Sequence, residues 1–312
     1  MMRVWFILLL LSMYSCTKEV KIDIPGYQNQ LVVDGIIETG GNPIVILSQS
    51  ANIYEQSDPA AYIARFVYDA ELKVLSGNDT FPLSLYTISE LPIESQKKVA
   101  EMLRLEWNEA LLLPIKVYSS TALIAQENTS YTLEIKHQGK SYKGTTQLLT
   151  PTALDSVYWK PEAENPDYGY SWAKLSDPAN QFDAYKWEVK RINLKANGEE
   201  LDDIYKRGFG GFFSDQFFDG QTIEFYYENP LKRKDTTHLK AYKRYYRIGD
   251  TVVVKFSKMD QQVFTFYDKK YAQLYSAANP FSTPINVPSN IPGLLGVWAG
   301  FSPWYDTIYC GQ

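Results

Sequence analysis

Leu31-Val32-Val33-Asp34-Gly35-Ile36-Ile37-Glu38, then Gly40-Gly41-Asn42-Pro43, then Ile44-Val45-Ile46-Leu47-Ser48: two runs of aliphatic, largely β-branched residues flank a break rich in glycine and proline. Runs this short, bounded by turn residues, read as strands, and the break joins them as a hairpin. The pattern recurs outward from there. Glu71-Leu72-Lys73-Val74-Leu75 alternates, stops at Ser76-Gly77-Asn78-Asp79 and resumes at Thr80-Phe81-Pro82-Leu83. Thr129 to Lys136 and Ser141 to Thr146 flank a turn at His137-Gln138-Gly139-Lys140. Composition agrees, since aromatics make up 15% of the chain, led by 24 Tyr, and such residues favour pleated, half-buried surfaces. The fold class is mainly β.

Between Pro92 and Leu105 the period changes. Ile93, Val99, Met102, Leu103 and Leu105 recur at helical spacing, and Glu94, Lys97, Lys98, Glu101 and Arg104 can fill an outer face. This predicts a short helix inserted into an immunoglobulin-like β-sandwich over residues 30–152, with the exit at Thr150-Pro151. Residues 153–312 predict a second, aromatic-rich β domain, a sandwich or barrel. Its strands include Ala184 to Ile192, a turn at Asn197-Gly198, and a hairpin of Tyr242 to Ile248 with Thr251 to Phe256. A helix is predicted from Gln261 to Ala277, N-capped by Asp260, with Val263, Phe266, Tyr267, Lys270, Tyr271 and Leu274 as its inner stripe. The tail ends in a strand at Tyr305 to Tyr309.

The amino terminus carries an address. Arg3, the apolar run Val4 to Leu11, and Ser15 before Cys16 have the layout of a signal peptide over residues 1–15 that is cut before a cysteine to be lipidated. Met13 and Tyr14 depart from the usual aliphatic and small residues at those places, so a plain secreted protein and an uncleaved anchor stand as alternatives. Two or more acyl chains anchor a soluble body stably, and residues 16–29, polar with Pro25-Gly26, form a tether. The protein is therefore expected at the outer membrane through its acyl chains, on the periplasmic or the cell-surface face. Consumption of Cys16 leaves Cys310 alone, so no disulfide framework is possible. The net charge of −5 argues against a nucleic-acid partner, and the basic run Lys232-Arg233-Lys234 before Asp235 reads as a solvated turn.

Catalytic signatures are sparse. His137 and His238 stand far apart, and neither H-E-x-x-H, C-x-x-C nor G-x-S-x-G occurs. Gly208-Phe209-Gly210-Gly211 lacks the residues of a phosphate loop or a dinucleotide fingerprint. Paired acids at Asp202-Asp203 and at Asp215 and Asp219 form no EF-hand series. No catalytic residue, metal site or cofactor is assigned. Phe209, Phe212, Phe213, Phe217 and Phe218 either plug the second core or form a protruding loop that docks a partner. Trp172, Trp298 and Trp304 are candidates for stacking on a ligand.

Several segments resemble one family. The lipoprotein start, Leu31 to Ile37, and Phe213-Ser214-Asp215-Gln216-Phe217-Phe218-Asp219-Gly220-Gln221 are similar to the Bacteroidota domain-of-unknown-function family 4249. Its most specific features are met at Asn279-Pro280-Phe281-Ser282, Val287-Pro288-Ser289-Asn290-Ile291 and Leu295-Gly296-Val297-Trp298. The resemblance implies an outer-membrane lipoprotein often encoded beside TonB-dependent transporters, and it carries no catalytic residues. The expectation is a non-catalytic accessory lipoprotein that captures a ligand for such a transporter or gates it. A stand-alone glycan- or peptide-binding lipoprotein is the alternative, and a hydrolase without a recognisable motif is a third reading.

Overall fold

The computed structural model describes residues 28–51, 58–231, 240–276, 279 and 283–311. Cys16, the leader and the tether up to residue 27, the Lys232-Arg233-Lys234 run, His238 and Pro280-Phe281-Ser282 lie outside the described residues.

The opening hairpin forms as the sequence predicts: β1 (Leu31–Glu38) pairs antiparallel with β2 (Ile44–Gln49), Gly35 opposite Val45. After a short helix α1 (Pro59–Ile63), β3 (Glu71–Ser76) and β4 (Asp79–Thr87) form the next hairpin. Strands β6 (Thr129–His137) and β7 (Lys140–Leu148) form a third. Its turn places Gln138 and Gly139 at φ 48° and 73°, the left-handed pair that suits the twist of a two-residue hairpin. Strand β5 (Lys116–Ser119) joins β2 to the second half of β4, whose first half pairs with β3. One strand thus runs through both halves of a curled sheet. The mainly β class holds, and these strands curl around a core that includes Val33, Ile37, Leu47, Val74, Leu133 and Ile135.

That core is completed from the far end of the chain. Strand β15 (Leu295–Tyr309) is fifteen residues long; its first half pairs in parallel with β1, and its second half antiparallel with β14 (Thr251–Met259). Ile291, Leu294 and Trp298 enter the first core. The Asn290 side chain acts as a pairing partner for β15: its Nδ2 donates to the Trp298 carbonyl at 2.7 Å, and Trp298 N–H donates to its Oδ1 at 2.9 Å. Gly296 takes φ +93°, and a Cβ there would lie 1.9 Å from the Val33 carbonyl oxygen. On the other side of the curl, Gly300 N–H donates to Thr146 Oγ1 at 2.9 Å, which ties β15 to β7. The first core thus draws residues from both sides of the expected boundary after residue 152. The strands before it leave a core that only the last part of the chain fills.

Among the described residues the main sheet has eleven strands, in the order β11-β10-β14-β15-β1-β2-β5-β4-β3-β6-β7, where β10 spans Ala184–Arg191 and β11 spans Lys206–Ser214. A smaller sheet is centred on β9 (Tyr168–Ser176), with β8 (Ser156–Pro161), β12 (Thr222–Tyr227) and β13 (Tyr246–Arg247) paired to it. The two sheets meet across a second core of Ala173 and Leu175 against Tyr185, Trp187, Val254 and Phe256.

Two helical pieces cover the remaining face of the main sheet. Helix α2 (Ile93–Leu103) and α3 (Trp107–Leu111) bury Val99, Ala100 and Ala110 against Ile44, Ile46 and Val117, which explains why β2 is apolar on both sides. Helix α4 (Gln261–Ser276) starts where predicted, with Val263 N–H donating to Asp260 Oδ1 at 2.9 Å. Its Val263, Phe266 and Tyr267 pack on Met259, Val297, Ala299 and Phe301. Lys270 and Tyr271 are half-buried, whereas Leu274 is exposed, so the inner stripe ends one turn earlier than the spacing implies.

Candidate functional site

Strand alternation decides which residues reach the helix-covered face. In β10, Tyr185, Trp187 and Val189 enter the second core, so Lys186, Glu188 and Lys190 point the other way. Likewise β1 sends Val33 and Ile37 into the first core and presents Asp34, Ile36 and Glu38 beneath the helices. Lys255 of β14 joins them. Because α2 and α4 cover this face side by side, charged residues that would ordinarily be solvated become the floor of a cleft.

The cleft has two lobes of about 260 Å³ and 250 Å³. They share Ile36, Lys98, Glu101, Ile204 and Tyr205 as a common wall. Tyr205 N–H donates to Glu101 Oε1 at 3.1 Å, which fixes the strap before β11 to α2.

The charges at the shared wall are closely paired. Lys255 Nζ lies 2.7 and 2.8 Å from the two oxygens of Glu38, and Lys98 Nζ lies 3.0 Å from Glu38 and also bonds Glu101. Lys186 pairs with Glu188 at 2.7 Å, while Glu188 Oε2 is buried with no hydrogen-bond donor among the described residues and Lys255 Nζ 3.8 Å away. Burial opposes the charge on Glu38, but the ammonium groups of Lys255 and Lys98 overcome it and hold the carboxyl far below its usual range. Burial likewise opposes the charge on Lys98, and Glu101 and Glu38 reverse that effect.

The lobe beside α4 is different. Phe212 stacks on Tyr267 and Tyr271 with ring centroids 4.5 and 5.4 Å apart. Arg104 donates to Tyr271 Oη at 2.6 Å, and the Arg207 guanidinium lies 3.9 Å from the centre of the same ring. Asp34 sits in the wall, and burial raises its pKa despite the pull of Lys270, Arg104 and Lys186.

A second acidic group lies at one end of the second core. Asp177, Asp215 and Asp219 present oxygens within 4.8 Å of one another, the donor type that calcium takes. These oxygens accept from Tyr185 Oη and from the backbone N–H groups of Gly220, Asp183 and Asn180. Burial and the neighbouring carboxylates raise the pKa values of Asp177 and Asp215.

The structure separates the aromatic candidates. Gly208 to Phe213 is part of strand β11 rather than a protruding loop. Phe213 packs on the second core, where Phe218 joins it, and Phe212 lines the cleft. Phe209 and Phe217 are 77% and 86% exposed, so the five rings form no single docking surface. Trp298 is fully buried and its indole Nε1 donates to the Tyr131 carbonyl, which removes it as a stacking platform. Trp304 packs against the second core.

Trp172 is half-buried. Its ring carries the Lys160 ammonium at 3.8 Å and opens a ladder through Tyr226, Tyr170, Tyr245 and Tyr242 on the outer face of the smaller sheet. His137 sits 3.2 Å from Asp69 beside a hairpin turn, away from either lobe.

Sequence reasoning placed Lys98, Glu101 and Arg104 on an outer helical face, whereas all three line the cleft. The cleft residues of β1 and β10 were missed altogether. One signal was available, Lys270 inside an otherwise apolar helical stripe.

The family model described as Domain of unknown function (DUF4249) matches residues 17–303. No curated protein matches the chain.

Proposed function

This chain belongs to the DUF4249 family, and we propose that it is a non-catalytic, lipid-anchored protein of the outer membrane that captures a small ligand for a TonB-dependent transporter. The observation that carries the reading is the cleft between α2 and α4, a concave site on a rigid sheet with polar groups converging from several elements. The leader ahead of Cys16 and the polar tether support anchoring. The supply of a transporter fits a body held at the membrane whose ligand site is built on strands.

The experiment is affinity purification of the native acylated protein from its own outer membranes, with bound proteins identified by mass spectrometry. A stoichiometric transporter is the expected result. Repeated recovery of intact acylated protein alone would sink the transporter partnership.

A second reading, a stand-alone glycan binder, is favoured by the ladder of Trp172, Tyr226, Tyr170 and Tyr245, since open aromatic faces suit sugar rings. Glycan-array binding lost in Trp172→Ala, with no transporter recovered, would select it.

A further inference from the structure

The α4-side lobe holds more positive charge than its own carboxylates answer. Lys98, Arg104, Lys186, Lys206, Arg207 and Lys270 line it, against Asp34, Glu101 and Glu188. Three of the cations have partners: Lys98 has Glu101 and Glu38, Lys186 has Glu188, and Lys206 has Asp202 at 2.7 Å. Among the described residues, no carboxylate lies within the 4.0 Å ion-pair distance of Arg104, Arg207 or Lys270. The whole chain is acidic, with a net charge of −5, so a cationic concavity is not a background property of the molecule.

These side chains are also held ready. Arg207 holds its guanidinium carbon 3.9 Å from the centre of the Tyr271 ring, and one of its terminal nitrogens donates to the Gly208 carbonyl at 2.9 Å, which limits its freedom. Arg104 is fastened to the hydroxyl end of the same ring. It occupies the C-cap of α2 at φ 57° and ψ 37°, a left-handed conformation that glycine adopts at less cost. Lys270 lies 5.4 and 5.8 Å from the ring centres of Phe266 and Tyr267, and an ammonium over aromatic faces keeps capacity for an anion.

Resting on the ligand-capture reading of this cleft, we infer that the α4-side lobe takes a small organic anion bearing carboxylate or phosphate groups, gripped by Arg104, Arg207 and Lys270. Planar guanidiniums match both groups through paired N–H donors. Phe212, Tyr267 and Tyr271 supply an apolar wall for the carbon skeleton. A volume of about 250 Å³ is at the small end for ligand sites, which favours a metabolite over a polymer segment.

The test is isothermal titration of the full-length acylated protein in detergent with citrate and, separately, inorganic phosphate at fixed ionic strength. Binding of at least one is expected, and the tighter of the two assigns the group to carboxylate or phosphate. The affinity should fall about tenfold or more in Arg104→Gln and in Arg207→Gln, the range for a charged hydrogen bond. It should stay unchanged in Lys136→Gln, whose lysine is exposed and pairs with Glu71.

Arg104→Gly separates binding from folding, because glycine suits that backbone while removing the guanidinium. No binding of either anion by the folded protein, or equal affinity in the arginine variants, overturns the inference. If a transporter still co-purifies in that case, the capture reading stands and the anion assignment alone falls.

Discussion

The indole Nε1 of Trp298 donates a 2.9 Å hydrogen bond to the main-chain carbonyl of Tyr131, joining the last strand to the middle of the first core. The ring is fully buried there among residues of β1, β6 and β7. Trp298→Ala should cost about 3–5 kcal/mol, the range for removing a large buried ring. Trp298→Phe should cost less, since it keeps most of the apolar contact but leaves the Tyr131 carbonyl without its donor. Urea unfolding followed by circular dichroism measures both, and equal stability of Trp298→Ala and wild type would contradict the structural role.

Gly296 offers a sharper test of the same join. A methyl group there would meet the Val33 carbonyl at 1.9 Å while the backbone is held at φ +93°. Gly296→Ala should separate β15 from β1 at this point and lower the yield of folded protein severely. Near-ultraviolet circular dichroism, dominated by the packed tryptophans, reads the loss.

Asp202 predicts how the protein responds to acid. Burial disfavours its charge, but hydrogen bonding and charge from Arg191, with Lys206, bring its pKa from 3.8 to about 2. Since the folded value lies below the ordinary one, the stabilisation is complete above pH about 4 and is lost as the pH falls toward 2; it amounts to about 2 kcal/mol. Asp202→Asn should cost more than this at pH 7, about 3–5 kcal/mol, because it removes the negative charge facing the buried Arg191 guanidinium. Denaturant midpoints measured from pH 7 down to 2 should show the two proteins converging.

The carboxylates at Asp177 and Asp215 carry the opposite sign. Their pKa values are raised by burial and by Asp183 and Asp219, so the ionised folded state is penalised. Stability from this cluster is present at low pH and declines as the pH rises through the raised values. Asp215→Asn retains an oxygen to accept from Asp183 N–H and removes one charge. Its urea midpoint at pH 7 should exceed that of wild type, and the gain should shrink toward pH 4. A lower midpoint at pH 7 would show that repulsion is not the governing effect.

The strand hairpins and both main helices could be read from the sequence because their signals are local. Alternation around Gly40-Gly41 or Gln138-Gly139, and the Asp260 cap before Val263, involve neighbours in the chain. β15 was harder to see. Gly296, Gly300 and Pro303 interrupt its pattern, so only Tyr305 to Tyr309 read as a strand, and its pairing with β1 depends on residues at opposite ends of the sequence.

The cleft was hidden for a related reason. Lys186, Glu188 and Lys190 alternate with Tyr185, Trp187 and Val189 just as a strand with one wet face would. What turns that face inward is the arrival of α2 and α4, a tertiary event with no trace in β10 itself.

Parallel pairing of β1 with β15 also sets the order in which the molecule can be finished. A chain emerging amino terminus first offers β1 early, but the partner that completes its core follows only after the other strands of the main sheet. Until then the aliphatic face of Val33, Ile37, Leu133 and Ile135 lacks its cover, and contacts this distant in sequence form slowly. A chain interrupted between β6 and β15 therefore displays this apolar surface, a mark of incompleteness for chaperones and proteases. Delivery of β15 acts as a clasp, and the protein is committed to its native shape only once that strand has joined β1.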